Sequence, residues 1–163
     1  MSEILVREAI LDDWSTIAEF NRRLALETES LALDGLTLEA GVKAALADRT
    51  KARYFVACAA DGQIVGQLMH TYEWSDWRNG DIWWLQSVYV HPDHRSQGVF
   101  RLLFEHLRHE AECDPAVVGL RLYVEDHNER AQEVYARLGL NTAGYRVMER
   151  FFRRAPAKDG SFR

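Results

Sequence analysis

Val88-Tyr89-Val90-His91-Pro92-Asp93-His94-Arg95-Ser96-Gln97-Gly98-Val99-Phe100-Arg101 runs from an apolar strand-like stretch into a charged turn, and one glycine then opens an amphipathic segment. A strand feeding a helix start in this way is the build of a phosphate cradle. Backbone N–H groups freed at a helix N-terminus carry the positive end of the helix dipole, and a glycine there lets phosphates come close to the main chain. Arg95 stands just before it. Two other phosphate-loop patterns do not fit: G-x-x-x-x-G-K-[ST] needs a Lys and a second Gly, and G-x-G-x-x-G needs three glycines where this turn has one.

Arg95-x-x-Gly98 at a strand-to-helix junction resembles the pyrophosphate loop, R/Q-x-x-G-x-G/A, of the GNAT superfamily of acyl-CoA-dependent N-acyltransferases. A second segment strengthens the likeness. Asn128-x-x-Ala131-x-x-x-Tyr135-x-x-x-Gly139-Leu140 follows a strand-like run, Val117 to Val124, with the spacing these enzymes use for their later CoA-contacting helix. The resemblance covers nearly the whole chain. It implies an α+β fold, a mixed, mostly antiparallel sheet with a splayed parallel strand pair and flanking helices, with acetyl-CoA held as cosubstrate in the splay.

The same resemblance implies a set of cofactor-binding residues. Ser96, Gln97, Gly98, Val99, Phe100 and Arg101 line the phosphates through their amides, with Arg95 or Arg101 adding charge. A backbone N–H of the Ser87-Val88-Tyr89-Val90 strand end meets the acyl oxygen, Asn128 touches the coenzyme, and the Tyr135 hydroxyl sits by its sulfur. Phe100 departs from the pattern, which usually has Gly or Ala there. A Phe at this position can point into the sheet, as Leu103, Phe104 and Leu107 on the same helix would.

With 163 residues, 47% of them hydrophobic and 28% charged, the chain reads as one ordinary globular domain over residues 1–163. A domain of this size buries roughly 70% of its unfolded surface and needs no disulfide or metal staple. The net charge of -5 speaks against nucleic acid and against an anionic membrane surface as partners. Cys58 and Cys113 lie in no C-x-x-C or Cys/His metal spacing, so both read as structural thiols in a reducing compartment, with no metal. The start, Met1 to Arg7, lacks a basic region followed by an apolar core, and no apolar run approaches the ~20 residues of a membrane span. A cytoplasmic protein is expected, and a homodimer is left open.

Hydrophobic periodicity and turn residues predict the elements. Ile4 to Glu8 reads as a strand, and Asp12-Asp13 opens a helix with Trp14, Ile17, Ala18, Asn21 and Leu24 on one face. A second helix is expected over Thr37 to Asp48. Arg53 to Ala60 and Gln63 to Trp74 flank the turn Asp61-Gly62, and Asn79-Gly80 sends Asp81 to His91 back antiparallel. Then follow a helix (Gly98 to Glu112), a strand (Ala116 to Val124), a helix (Glu129 to Leu138) and a strand (Tyr145 to Phe152).

Acyl transfer to an amine needs a neutral nitrogen, an oxyanion donor and an acid for the leaving thiolate. Tyr135 is the candidate acid, because a Tyr pKa near ~10 exceeds a thiol's ~8.5 and its proton is present at neutral pH. A core Tyr in helical register with Ala131, Val134 and Leu138 is the plainer alternative. Where many relatives carry a Glu as base, this chain has Gln86, which takes no proton. Glu73, Asp76, Glu27, Glu29 or His70 acting through water, or capture of the amine's neutral form, are the remaining routes.

The hairpin Tyr72-Glu73-Trp74-Ser75-Asp76-Trp77-Arg78-Asn79-Gly80-Asp81 mixes aromatics with carboxylates, the elements of a cation site. Substrate-binding roles are therefore expected of Glu27, Glu29, Glu73, Asp76 and Gln86. Tyr72 to Val90 is also similar to the corresponding segment of the diamine and polyamine (spermidine/spermine-type) and thialysine N-acetyltransferases, which carry an aromatic-rich hairpin followed by L-E-D-F-F-V. Gln86 and Ser87 replace the two acids of that pattern. The expected activity is transfer of an acetyl group from acetyl-CoA to a primary amine, a small cationic amine or amino-acid derivative. The alternatives are a protein N-terminal or lysine acetyltransferase and a non-catalytic acyl-CoA-binding module.

Overall fold

The computed structural model describes residues 4–152; the extreme N-terminus, Met1 to Glu3, and residues 153–163 lie outside it. Strand β1 (Leu5–Glu8) leads through a short 3-10 turn into α1 (Trp14–Glu29), which ends where Ser30 takes a left-handed φ of 52°. Helix α2 (Gly35–Ala47) starts two residues before the expected Thr37 because Asp34 caps it, accepting from the Thr37 N–H at 2.9 Å. Strands β2 (Arg53–Cys58), β3 (Ile64–Ser75) and β4 (Gly80–Val90) form two successive hairpins. Helix α3 (Val99–Cys113), β5 (Val117–Leu122) and α4 (Glu129–Arg137) complete the order.

One five-stranded sheet runs β1-β2-β3-β4-β5, antiparallel except for the parallel β4–β5 pair. That is the expected mixed sheet with flanking helices. Alternation along the strands sends Phe55, Leu68, Trp83 and Leu85 to one face, where α3 lays down Leu103, Phe104 and Leu107. Tyr54, Val56 and Cys58 point to the other face and meet Ile17 of α1 and Val42 of α2. Among the described residues no helix is long and apolar enough to cross a membrane.

The expected last strand does not form. Tyr145, Met148 and Phe152 are 81%, 93% and 89% exposed, and among the described residues the segment from Tyr145 to Phe152 pairs with no strand. Its residues have β-forming character, but a strand exists only through pairing, and alternation in sequence does not supply the partner edge.

Gly80 clamps the parallel pair at its start. A Cβ there would lie 2.4 Å from Val118 Cγ1 and 2.9 Å from the Ala116 carbonyl oxygen. Overpacking against backbone typically costs about 1–3 kcal/mol, so Gly80→Ala is expected to lower the unfolding free energy by that order in denaturant titration. An unchanged midpoint would show that β4 and β5 do not approach this closely.

His70 is fully enclosed on the α3 face, stacked 4.0 Å from the Trp83 ring and edge-on to Tyr72. Burial, with the nearby Arg53 guanidinium second, pushes its pKa down from 6.5 to about 4. The folded state therefore prefers neutral imidazole. Stability is complete above the unfolded pKa and falls as pH drops from 6.5 towards 4, a loss of about 3 kcal/mol from this group. Thermal melts across that range should show His70→Leu with a flatter pH dependence than the parent; parallel curves would rule the imidazole out as the cause.

Candidate active site

Beyond the Gly80 clamp the two parallel strands stay paired from Asp81↔Val117 to Leu85↔Leu122. Strand β4 runs on to Val90 with no strand beside it on that side among the described residues, and one side of α4 faces Val88 and Phe100 there. A cleft of about 290 Å³ opens there, lined by Val88, Phe100, Asn128, Arg130, Ala131, Val134 and Tyr135. Three separate pieces of sequence thus meet in one place: the strand end, the first turn of α3 and one face of α4.

Asn128 caps α4, its Oδ1 accepting from the Ala131 N–H at 3.1 Å, which leaves its amide N–H groups for the cleft. Tyr135 sits two helical turns further along the same side. Burial pushes its hydroxyl above the ordinary value of 10, so it carries its proton through neutral pH. Phe100 does not turn wholly into the sheet as expected. Its ring touches the α3-side core yet walls the cleft, edge-on to Tyr135 at 5.8 Å. Arg130 and Val134, four residues apart, were not singled out for the cleft from sequence, although Val134 follows Ala131 by three residues and Ala131 precedes Tyr135 by four, which puts them on one side of α4.

The loop before α3 behaves as its glycine demands. Ser96 and Gly98 take φ of 62° and 81°, and Ser96, Gln97 and Gly98 are exposed at the helix start. A Cβ on Gly98 would meet nothing within 4 Å, so glycine serves the backbone conformation there and leaves open space above the amides. Val99 is a core residue whose backbone begins the helix, and Arg101 is exposed on the first turn.

Arg95 points elsewhere. Its guanidinium donates to the Val90 carbonyl at 2.9 Å and to Glu27 Oε2 at 2.6 Å, and lies over the Tyr89 ring. Tyr89 donates its hydroxyl to Glu27 Oε1 at 2.8 Å. Burial acts to raise the Glu27 pKa, but these two hydrogen bonds outweigh it and hold the carboxyl below its usual range. Glu27 is thus bound to the loop's own arginine.

The acids expected around the amine do not gather in one pocket. Glu73 accepts from Trp84 Nε1 and from Arg121 at 3.1 Å, and Tyr123 packs 4.3 Å from the Trp84 ring. Gln86, on the same face of β4 as Trp84, donates to Thr71 Oγ1 at 2.7 Å. Glu29 ends α1 and Asp76 lies exposed in the β3–β4 turn, and neither lines the cleft. His70, enclosed under α3, is removed from any route for the base. A second cavity, about 370 Å³, lies on the α1 and α2 side between Asn21, Leu38, Val42, Tyr54 and Met69, and sequence reasoning did not find it. Among the described residues no group of three or more His, Cys, Asp or Glu could hold a metal.

This cleft at the parting of two parallel strands, with a glycine loop at one rim and a Tyr-bearing helix at the other, defines an acyltransferase of the GNAT kind. The model of the Acetyltransferase (GNAT) family matches residues 11–140, and the chain belongs to that family. It is 29% identical over 147 residues to a thialysine N-epsilon-acetyltransferase of Bos taurus, covering 85% of each chain. A possible acetyltransferase from Clostridium difficile 630 superposes with a TM-score of 0.86 at 44% identity, over 93% of this chain and 99% of that one. A further structure, a predicted acetyltransferase with acetyl-CoA from Clostridium acetobutylicum, shares the fold at 17% identity and a TM-score of 0.73, over 90% of this chain and 96% of that one. The protein is an N-acetyltransferase, and its family uses acetyl-CoA.

Gly98 tests the loop. Gly98→Ala isolates the cost of the left-handed φ, whereas Gly98→Glu adds a charge opposed to phosphate at the helix start. Calorimetry with acetyl-CoA should give an affinity about tenfold or more weaker for Glu than for Ala, roughly 1.4 kcal/mol. Equal affinities in folded variants would move the pyrophosphate elsewhere.

Proposed function

We propose that the chain acetylates the primary amine of a small cationic compound or amino-acid derivative, using acetyl-CoA. The observation that carries this is the meeting of Tyr135, Asn128 and Val88 at the point where β4 and β5 part. Along the edge of β4 from Gln86 to Val90, where Arg95 holds the Val90 carbonyl and Gln67 the Ser87 carbonyl, the remaining backbone donors and acceptors serve the amide-bearing arm of the coenzyme, as an added strand would use them. Its phosphates fit the exposed amides of Ser96 to Arg101, with Arg101 and Arg130 as the nearby cations.

The chain's own groups then have distinct tasks. A β4 backbone N–H holds the acyl oxygen as charge develops on it. Tyr135 gives its proton to the departing thiolate. The amine approaches from the opposite face of the sheet, where Glu73, Trp84 and Gln86 supply a carboxylate, an aromatic ring and an amide. Gln86 is bonded to Thr71 and takes no proton, so the amine reacts from its neutral form or gives its proton to water. The relationship to the thialysine N-epsilon-acetyltransferases supports an amine on a short side chain as acceptor.

A screen of amines with acetyl-CoA, reading free thiol, tests the reaction; binding without thiol release on any amine would leave only an acyl-CoA-binding module. Given turnover, Tyr135→Phe keeps the ring and removes the oxygen. General acid catalysis is typically worth ~10² to 10⁴ in rate, so kcat should fall by that order while acetyl-CoA affinity stays within a few fold. An undiminished kcat where chemistry limits turnover would remove Tyr135 from the acid role.

A further inference from the structure

Strand β4 carries one extra residue against β3. Gln67 pairs with Tyr89 and Met69 pairs with Gln86, so Leu68 alone faces both Ser87 and Val88. This is a β-bulge, and Ser87 absorbs it with a left-handed φ of 51°. A residue with a Cβ adopts that conformation at a free-energy cost and keeps it only when its surroundings impose it.

The surroundings are a ring of buried polar groups. Gln67 is fully buried, and its Nε2 donates to the Ser87 carbonyl at 3.2 Å and to Asn21 Oδ1 at 2.8 Å. Asn21 Nδ2 donates to the Tyr54 hydroxyl at 3.0 Å, and the Ser87 side chain acts on the same hydroxyl. The ring ties β2, β3 and α1 to a single peptide of β4. Gln67 Oε1, by contrast, is buried with no partner among the described residues. A buried unpaired acceptor is costly, and an apolar side chain of similar length would avoid it, so the position retains its amide for the donor end.

The bulge fixes a direction. No peptide bond is cis among the described residues, so the Ser87 carbonyl and the Val88 N–H of their shared peptide point opposite ways. With the carbonyl turned to the Gln67 side-chain amide, the Val88 N–H is turned away from that amide. On that side β5 has already parted, its last paired residue being Leu122 opposite Leu85, and the Val88 side chain lines the cleft with Tyr135.

We propose that Gln67 is a positioning residue for acyl transfer: its side-chain amide, braced by Asn21 and Tyr54, holds the Ser87–Val88 peptide so that the Val88 N–H faces the acyl oxygen. This rests on the acetyltransferase reading above. Gln67 itself touches neither cosubstrate nor amine.

Gln67→Met keeps length and burial and removes the donors. Loss of one oxyanion donor typically costs ~10²- to 10³-fold in kcat, and a fall of about 10²-fold is expected. Acetyl-CoA affinity by calorimetry and KM for the best amine should stay within about threefold, since ground-state binding uses other groups. Asn21→Leu should behave like Gln67→Met, whereas Asn21→Asp, which still accepts from Gln67 and lets the Tyr54 hydroxyl donate to it where Asn21 donates to that hydroxyl, should keep most of kcat. In amide NMR the Val88 cross-peak should move when acetyl-CoA is added to the parent protein and respond far less in Gln67→Met. Should Gln67→Met not fold, Asn21→Leu and Tyr54→Phe carry the same comparison. Parent kcat in a folded Gln67→Met, or a fall in kcat matched by an equal loss of acetyl-CoA affinity, overturns the proposal. If the parent turns over no amine, the acetyltransferase reading fails by itself, and the NMR arm still decides: a Val88 amide indifferent to acetyl-CoA in the parent refutes the positioning role, and a shift lost with the Gln67 amide upholds it.

Discussion

Strands β4 and β5 are pressed together at one end and held apart at the other, and the site depends on that geometry. At Gly80 the absence of a side chain lets the Val118 methyl and the Ala116 carbonyl come within contact of the β4 backbone. After Leu85 and Leu122 the pairing stops, and sheet twist carries the strands apart. Among the described residues no strand pairs with β4 on that edge beyond Leu85, although the Val90 carbonyl is taken by Arg95. Backbone polar groups in a sheet are ordinarily satisfied, so such an edge is a standing demand for a ligand that brings its own amides.

The sheet alone does not hold the opening in shape. Helix α1 reaches it twice, through Asn21 in its middle and Glu27 near its end. Glu27 gathers Arg95 and Tyr89, fastening the start of the glycine loop to the opposite face of the sheet. As an exposed ion pair this contact contributes little stability, on the order of 0–1 kcal/mol. Its effect is geometric: it commits the Arg95 guanidinium to α1 and leaves Arg101 as the exposed cation on the first turn of α3. On the far rim, Phe100 occupies space that a smaller residue would leave open and narrows the cleft against Tyr135.

What was legible in the sequence was local or periodic. The turns Asp61-Gly62 and Asn79-Gly80 announce their hairpins through residues suited to left-handed backbone, and Gly62 and Asn79 adopt it at 86° and 46°. The loop from Arg95 to Gly98 and the spacing from Asn128 to Tyr135 each lie on one short segment, so their joint meaning survived without coordinates. The bulge at Ser87 did not show, because no glycine marks it and its supports, Asn21, Tyr54 and Gln67, lie far apart in the chain. The direction of Arg95 was hidden for a similar reason: a guanidinium chooses between phosphate and carboxylate by where α1 ends. Glu27 and Glu73 read alike as substrate acids, yet Glu27 bonds to Tyr89 while Glu73 lies opposite Ile82, seven residues back along β4. Tyr145 to Phe152 shows the converse error, a strand-like pattern without an edge to complete it.

The order of strands in space, β1-β2-β3-β4-β5, also bears on how the molecule assembles. The hairpins β2–β3 and β3–β4 close over short turns, so their contacts form early at small entropic cost. Strand β5 reaches β4 only after the chain has crossed through α3, and α4 is laid down later still. The cleft is therefore bounded by pieces that are joined to the hairpins only through longer closures. Segments of this kind open more readily than the rest of a native protein, and a ligand spanning β4 and α4 would tie the late half of the chain to the early half.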